Sequence, residues 1–114
     1  MSGGISIHAV DVVSGKPAVG MQVTLRRLSP DPRTVASGII AEDGTFPGRH
    51  VTGEGCCPGA YEVVFQFDSF YICSNDAPGF LRDVPFRFFV RDDDGHVHLP
   101  IKFSPWGYAL FRGR

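Results

Sequence analysis

Three histidines, His8, His96 and His98, carry the clearest chemical potential in this chain, because imidazole is the side chain that gains and loses a proton near neutral pH without being perturbed. Two of them open the last stretch, HVHLPIKFSPWGYALFRGR, which runs from His96 to Arg114. If that stretch begins as a β-strand, a period of two sends His96, His98 and Pro100 to one face and Val97, Leu99, Ile101 and Phe103 to the other. The apolar set faces a core and the histidines do not. The same pattern near the start sets Ile5, Ile7 and Ala9 against Ser6, His8 and Val10, so His8 also points away from the more apolar side. Arg112 supplies a guanidinium close to the end of the chain. Two imidazoles and a fixed positive charge, brought to one face, would suit general acid-base chemistry on a small polar substrate.

The elements that must position these residues are almost all strands. With 114 residues the chain is the size of one domain, residues 1–114, long enough for a single core. Met21, Val23 and Leu25 alternate with Gln22, Thr24 and Arg26 in a second strand, separated from the first by a turn at 13–18 that contains Gly15 and Pro17. Ser29-Pro-Asp-Pro is a loop, Thr34 to Ala41 runs extended, and Glu42-Asp-Gly-Thr turns the chain. Between Phe46 and Gly59, rich in Gly and Pro, a short edge strand flanked by long turns is expected. Tyr61, Val63, Phe65 and Phe67 form one apolar face of another strand. Asp68 to Asn75 can make a short helix capped by Asp68 or Ser69 and ended by Pro78-Gly79. Val84 to Arg91 and the His96 stretch complete the set. Seven or eight short strands with turns every eight to twelve residues predict an all-β, antiparallel sandwich with one short helix.

Composition narrows the function classes. A net charge of −1 provides no field to attract nucleic acid or an anionic membrane, and no window is apolar for the roughly 18 residues that a membrane helix needs. The N-terminus lacks the basic and apolar regions of a secretory signal, and three cysteines, two of them the adjacent Cys56 and Cys57, make a poor disulfide framework. A cytoplasmic protein with free thiols is expected. Asp92 to Asp94 lacks the spaced ligands of a calcium loop. Ser104 sits in a turn without the context of a nucleophile elbow. Cys56, Cys57 and Cys73 lack the paired spacing of a structural zinc site, and Cys73 is expected to pack in the helix as a small hydrophobe.

The opening ISIHAVDVVSGKPAVGMQVTL resembles the N-terminal strand pair of the transthyretin-like family, and HVHLPIKFSPWGYALFRGR resembles its C-terminal signature, which ends in Tyr-Arg-Gly-Ser in the enzyme branch. The resemblance runs nearly the whole chain. It implies an eight-stranded sandwich assembled as a homotetramer, with sites in a channel at the dimer-dimer interface and no cofactor. The enzyme branch is 5-hydroxyisourate hydrolase, which opens a lactam ring in purine catabolism, and histidines matching His8 and His98 mark that branch. A non-catalytic carrier of the transthyretin type is the alternative, consistent with Phe111 in place of Tyr.

Carried over residue by residue, the resemblance makes His8, His98 and Arg112 the catalytic candidates. It makes Thr45, Phe111, Gly113 and Arg114 the substrate-binding ones. At three positions the chain departs from the family. The arginine that follows an Asp-Gly turn is Thr45 here, the terminal Tyr is Phe111 and the terminal Ser is Arg114; Arg49 lies four residues beyond Thr45 and is not its equivalent. Losing a fixed charge and two hydroxyls implies a changed substrate or reaction around a retained histidine pair. His50 and His96 are expected to be incidental. No metal is expected: His8, His96 and His98 could imitate a three-histidine zinc shell, but the family chemistry needs none and no carboxylate stands behind them.

Overall fold

The computed structural model describes residues 4–46, 58–74, 80–91 and 95–113, without the side chains of Ser69 and residues 72–74. Eight strands and one helix follow in order: β1 (Gly4–Asp11), β2 (Lys16–Pro17), β3 (Gln22–Ser29), β4 (Arg33–Ile39), β5 (Gly59–Gln66), α1 (Phe67–Ser74), β6 (Val84–Val90), β7 (His96–Ser104) and β8 (Gly107–Leu110). They form two four-stranded sheets, β2-β1-β7-β8 and β4-β3-β5-β6, the β-sandwich expected from the alternating pattern. No helix among the described residues is long and apolar enough to cross a membrane.

The core lies between the sheets and is built by the predicted parities. Ile5, Ile7 and Ala9 of β1 and Val97, Leu99, Ile101 and Phe103 of β7 are buried, facing Val23 and Leu25 of β3 and Tyr61, Val63 and Phe65 of β5. Each large apolar side chain buried this way contributes about 1.5–3 kcal/mol. Slipping β7 by one residue would expose four of them and bury His96 and His98, so core burial is what fixes the histidines on the outer face. The helix begins at Phe67, one residue before the predicted start, because Phe67 continues the inward parity of β5 and stacks on Phe103 at 4.6 Å between ring centroids. Asp68 therefore sits in the first turn rather than at its cap, paired with Arg82 at 3.1 Å.

Two further features differ from the sequence reading. Lys16–Pro17, read as part of a turn, pairs with Val10 and Asp11 as a two-residue edge strand, a place where a proline lacking N–H is tolerated. The central pair of one sheet, β1 with β7, is parallel, while every other strand pair is antiparallel. A period of two is the same in either direction, so patterning carries no information on this point. The short edge strand expected between Phe46 and Gly59 falls largely outside the described residues, as does Asn75.

Candidate active site

The parallel pairing of β1 and β7 builds the site. Its register sets Gly4 beside His96, Ser6 beside His98 and His8 beside Pro100. Ser6, His8, His98 and Pro100 are half-buried and His96 is exposed, all on the outward parity of the two strands. Ser6 Oγ lies 2.8 Å from His96 Nε2 and 2.7 Å from His98 Nδ1. His98 thus has Nδ1 engaged within the sheet, and Nε2 is the nitrogen left to meet a ligand. Burial, then the neighbouring His8 and then His96, lower the proton affinity of His98 below the ordinary value of 6.5.

His8 is held from the opposite side by the turn at 42–45. Its Nε2 lies 3.1 Å from the carbonyl oxygen of Asp43. A carbonyl only accepts, so His8 donates from Nε2, and its neutral ring carries the lone pair on Nδ1. The turn is stitched to β1 on both sides of His8: Ala9 N donates to Gly44 O at 2.9 Å and Phe46 N to Ile7 O at 3.0 Å. Within it, Asp43 Oδ1 accepts from Thr45 N at 3.0 Å and from Thr45 Oγ1 at 2.6 Å, which rigidifies the backbone whose carbonyl steadies His8. Gly44 has φ of +88° and is pressed on the imidazole, since a Cβ there would lie 2.7 Å from His8 Nε2.

The C-terminal segment flanks the other histidine. Beyond β8 it stays in register with β7, and Gly113 N donates to His98 O at 2.7 Å. A Cβ on Gly113 would meet His98 Cδ2 at 3.0 Å and Pro100 Cδ at 3.2 Å, so this glycine packs against the His98 ring. Phe111 is 47% exposed. Arg112 is exposed, and its Nη2 donates to the carbonyl oxygen of His96 at 3.5 Å, a long contact with the main chain of β7.

The fold therefore gathers residues far apart in sequence. Thr45 forms a bridge with His8, and Gly113 forms one with His98, so two predicted binding positions lie on either side of the histidine pair. Arg114, Arg49, His50, Cys56 and Cys57 lie outside the described residues, and of Cys73 only its place in α1 is described. Sequence reasoning passed over Ser6 and Gly44. Ser6 shares the parity of His8, but only the parallel register brings it to His98. Gly44 stands in a legible turn, but nothing in the chain order shows which side chain that turn would meet. Among the described residues, no three His, Cys, Asp or Glu side chains are grouped so that they could hold a metal ion.

Fold and site together define a transthyretin-like β-sandwich with a histidine pair on the outer face of one sheet. A family model described as "Transthyretin: HIUase/Transthyretin family" matches residues 5–113. The chain is 35% identical over 116 residues to 5-hydroxyisourate hydrolase 2 of Rhizobium meliloti, covering 98% of this chain and 97% of that protein. It is likewise 35% identical over 119 residues to 5-hydroxyisourate hydrolase of Deinococcus radiodurans, covering 99% of each. Among solved structures, a crystal structure of (S)-allantoin synthase superposes with a TM-score of 0.91 at 29% identity; the match spans 99% of this chain but 44% of that one. The chain belongs to the HIUase/Transthyretin family.

Proposed function

We propose that this protein is a 5-hydroxyisourate hydrolase-like enzyme that opens the ring of a small cyclic amide, with His8 as the proton-transfer group and His98 as a neutral hydrogen-bond donor. The observation that carries the reading is the complementary anchoring of the two rings. His8 is tied through Nε2 to the Asp43 carbonyl and offers Nδ1, while His98 is tied through Nδ1 to Ser6 and offers Nε2. Relatives named 5-hydroxyisourate hydrolase over nearly the full length supply the substrate class.

In the reaction, a water oxygen attacks the ring carbonyl carbon while His8 Nδ1 takes a proton from that water. The oxyanion that forms accepts a hydrogen bond from His98 Nε2–H, which costs no proton transfer and suits a ring whose burial disfavours the charged form. The carbon–nitrogen bond then breaks, and the His8 imidazolium returns its proton to the leaving nitrogen. Arg112, Phe111, Gly113 and Thr45 border the substrate, and the family resemblance adds Arg114 to them. Thr45, Phe111 and Arg114 stand where the family pattern has Arg, Tyr and Ser, and they shift the preference of the site toward another ring. The working form is a homotetramer whose histidine faces line a channel between dimers, and its cysteines remain thiols in the cytoplasm.

The test is a direct assay of the purified protein with freshly prepared 5-hydroxyisourate, with light scattering to compare its mass with that of four 12.4 kDa chains. His8→Ala and His98→Ala are each expected to lower turnover by about two orders of magnitude with the assembly intact. Combining Thr45→Arg, Phe111→Tyr and Arg114→Ser should raise activity on 5-hydroxyisourate. Unchanged turnover in both histidine variants would overturn the mechanism. A ligand that co-purifies unaltered, with no ring opened, would make the protein a carrier.

A further inference from the structure

We propose that Ser6 is a positioning residue: its hydroxyl bridges His96 and His98 and selects the tautomer of His98 that presents Nε2–H to the substrate. This inference rests on the reading of His98 as a hydrogen-bond donor in the reaction.

The argument begins with the inventory of one hydroxyl. Ser6 Oγ is within hydrogen-bond distance of two ring nitrogens, His96 Nε2 at 2.8 Å and His98 Nδ1 at 2.7 Å, and it has a single hydrogen to give. It cannot donate to both. Two arrangements use the hydroxyl fully. In one, His96 Nε2–H donates to Ser6 Oγ and Ser6 O–H donates to His98 Nδ1, which leaves the His98 proton on Nε2. In the other, both bonds reverse, and the His98 proton moves to Nδ1, where it cannot face a ligand. The tautomers of His96 and His98 are therefore linked through Ser6: a proton on Nε2 of one ring calls for a proton on Nε2 of the other.

The neighbouring ring decides which arrangement serves the site. His8 donates from Nε2 to Asp43 O and so presents a lone pair at Nδ1. A second lone pair from His98 would give the histidine pair two acceptors and no donor of its own for a developing oxyanion. The arrangement with Nε2–H on both His96 and His98 gives one acceptor and one donor, both on neutral rings. His96 thereby acquires a task at one remove from the substrate, and its main-chain oxygen, approached by Arg112 Nη2 at 3.5 Å, ties the same residue to the C-terminal segment.

The experiment is nitrogen-15 imidazole NMR on the full-length protein and its Ser6→Ala, Ser6→Thr and His96→Ala variants, above the histidine titration range. It runs beside kinetics on 5-hydroxyisourate. His98 in the unaltered protein is expected as the Nε2–H form. Ser6→Ala should give a mixture of both tautomers and lower kcat about fivefold to tenfold with KM little changed, the penalty of one lost hydrogen bond. Ser6→Thr, which keeps the hydroxyl, should restore both readings, and His96→Ala should loosen the preference in the same direction. An Nδ1–H form of His98 in the unaltered protein, or a His98 tautomer that ignores Ser6→Ala, would overturn the proposal. If no 5-hydroxyisourate is hydrolysed by the unaltered protein, the reading of the function fails, while the nitrogen spectra still decide the role of Ser6.

Discussion

Replacing Gly44 by alanine separates the strain of a turn from the placement of the His8 ring, the proposed proton-transfer group, because Gly20 provides a control with nearly the same backbone. Gly44 has φ of +88° and Gly20 has φ of +92°, and an L side chain held in that region costs about 1–2 kcal/mol. Both Gly44→Ala and Gly20→Ala should therefore lower stability by that amount, roughly 4–8 °C in Tm per kcal/mol for a domain near this size. Their surroundings differ. A Cβ at Gly20 meets nothing within 4 Å, whereas one at Gly44 lies 2.7 Å from His8 Nε2, where ordinary contact begins at 3.4 Å. The imidazole must retreat by about 0.7 Å and give up its bond to Asp43 O, and a misplacement of about 1 Å in a reacting group costs on the order of a hundredfold in rate. Gly44→Ala is thus expected to lose about 30- to 100-fold in kcat/KM, and Gly20→Ala to stay within about twofold of the parent once measured below its melting range. Thermal unfolding and ring-opening kinetics on both variants check the pair. Equal activities in the two, whether both retained or both lost, would refute the argument that this turn sets the position of His8.

Two further outcomes follow from the same geometry. His98 should titrate below 6.5 in a proton NMR titration, because burial and then the charges of His8 and His96 disfavour its imidazolium. The unfolded chain binds that proton more readily, so this group's contribution to stability is complete above pH 6.5 and falls as pH drops toward the folded value. His8→Asn should raise the midpoint while leaving it depressed, since burial is the largest cause; a His98 midpoint at or above 6.5 in the parent would contradict this. Asp43→Ala removes the acceptor for Thr45 N and Oγ1 and should lower kcat/KM about fivefold, the worth of about one hydrogen bond, whereas Asp43→Asn keeps Oδ1 and should retain most activity.

What the sequence discloses about this molecule is its alternation, and what it conceals is adjacency. The inward run Val97, Leu99, Ile101 and Phe103 and the outward His96, His98 and Pro100 are readable because each apolar residue recurs every second position, and burial enforces that parity. The β-sandwich was legible for the same reason, and the helix at Phe67–Ser74 from its polar start and the Pro78-Gly79 that follows it. The parallel register of β1 and β7 was not, since no local turn connects strands at opposite ends of the chain. Ser6 was consequently invisible as a partner of His98, and Thr45 could be matched to the site only by resemblance, although its bridge to His8 is a main-chain contact. His96, set aside as incidental, shares the Ser6 hydroxyl with His98, a relation that no spacing along one strand could reveal.

The parallel union of β1 with β7 has a consequence for how the protein comes into being. Gly4 and His96 are neighbours in the finished sheet, so during synthesis the first strand emerges long before the one beside which it belongs. Closing so long a loop is entropically slow, and until it closes most of β1 lacks its ladder partner, which leaves that edge of backbone N–H and C=O groups open to other chains. The nascent chain is thus most exposed to aggregation while its N-terminal strand waits, and the face that carries His8 and His98 together cannot form before the C-terminal strand arrives. A chain truncated before His96 would lose the centre of one sheet along with half of the histidine pair.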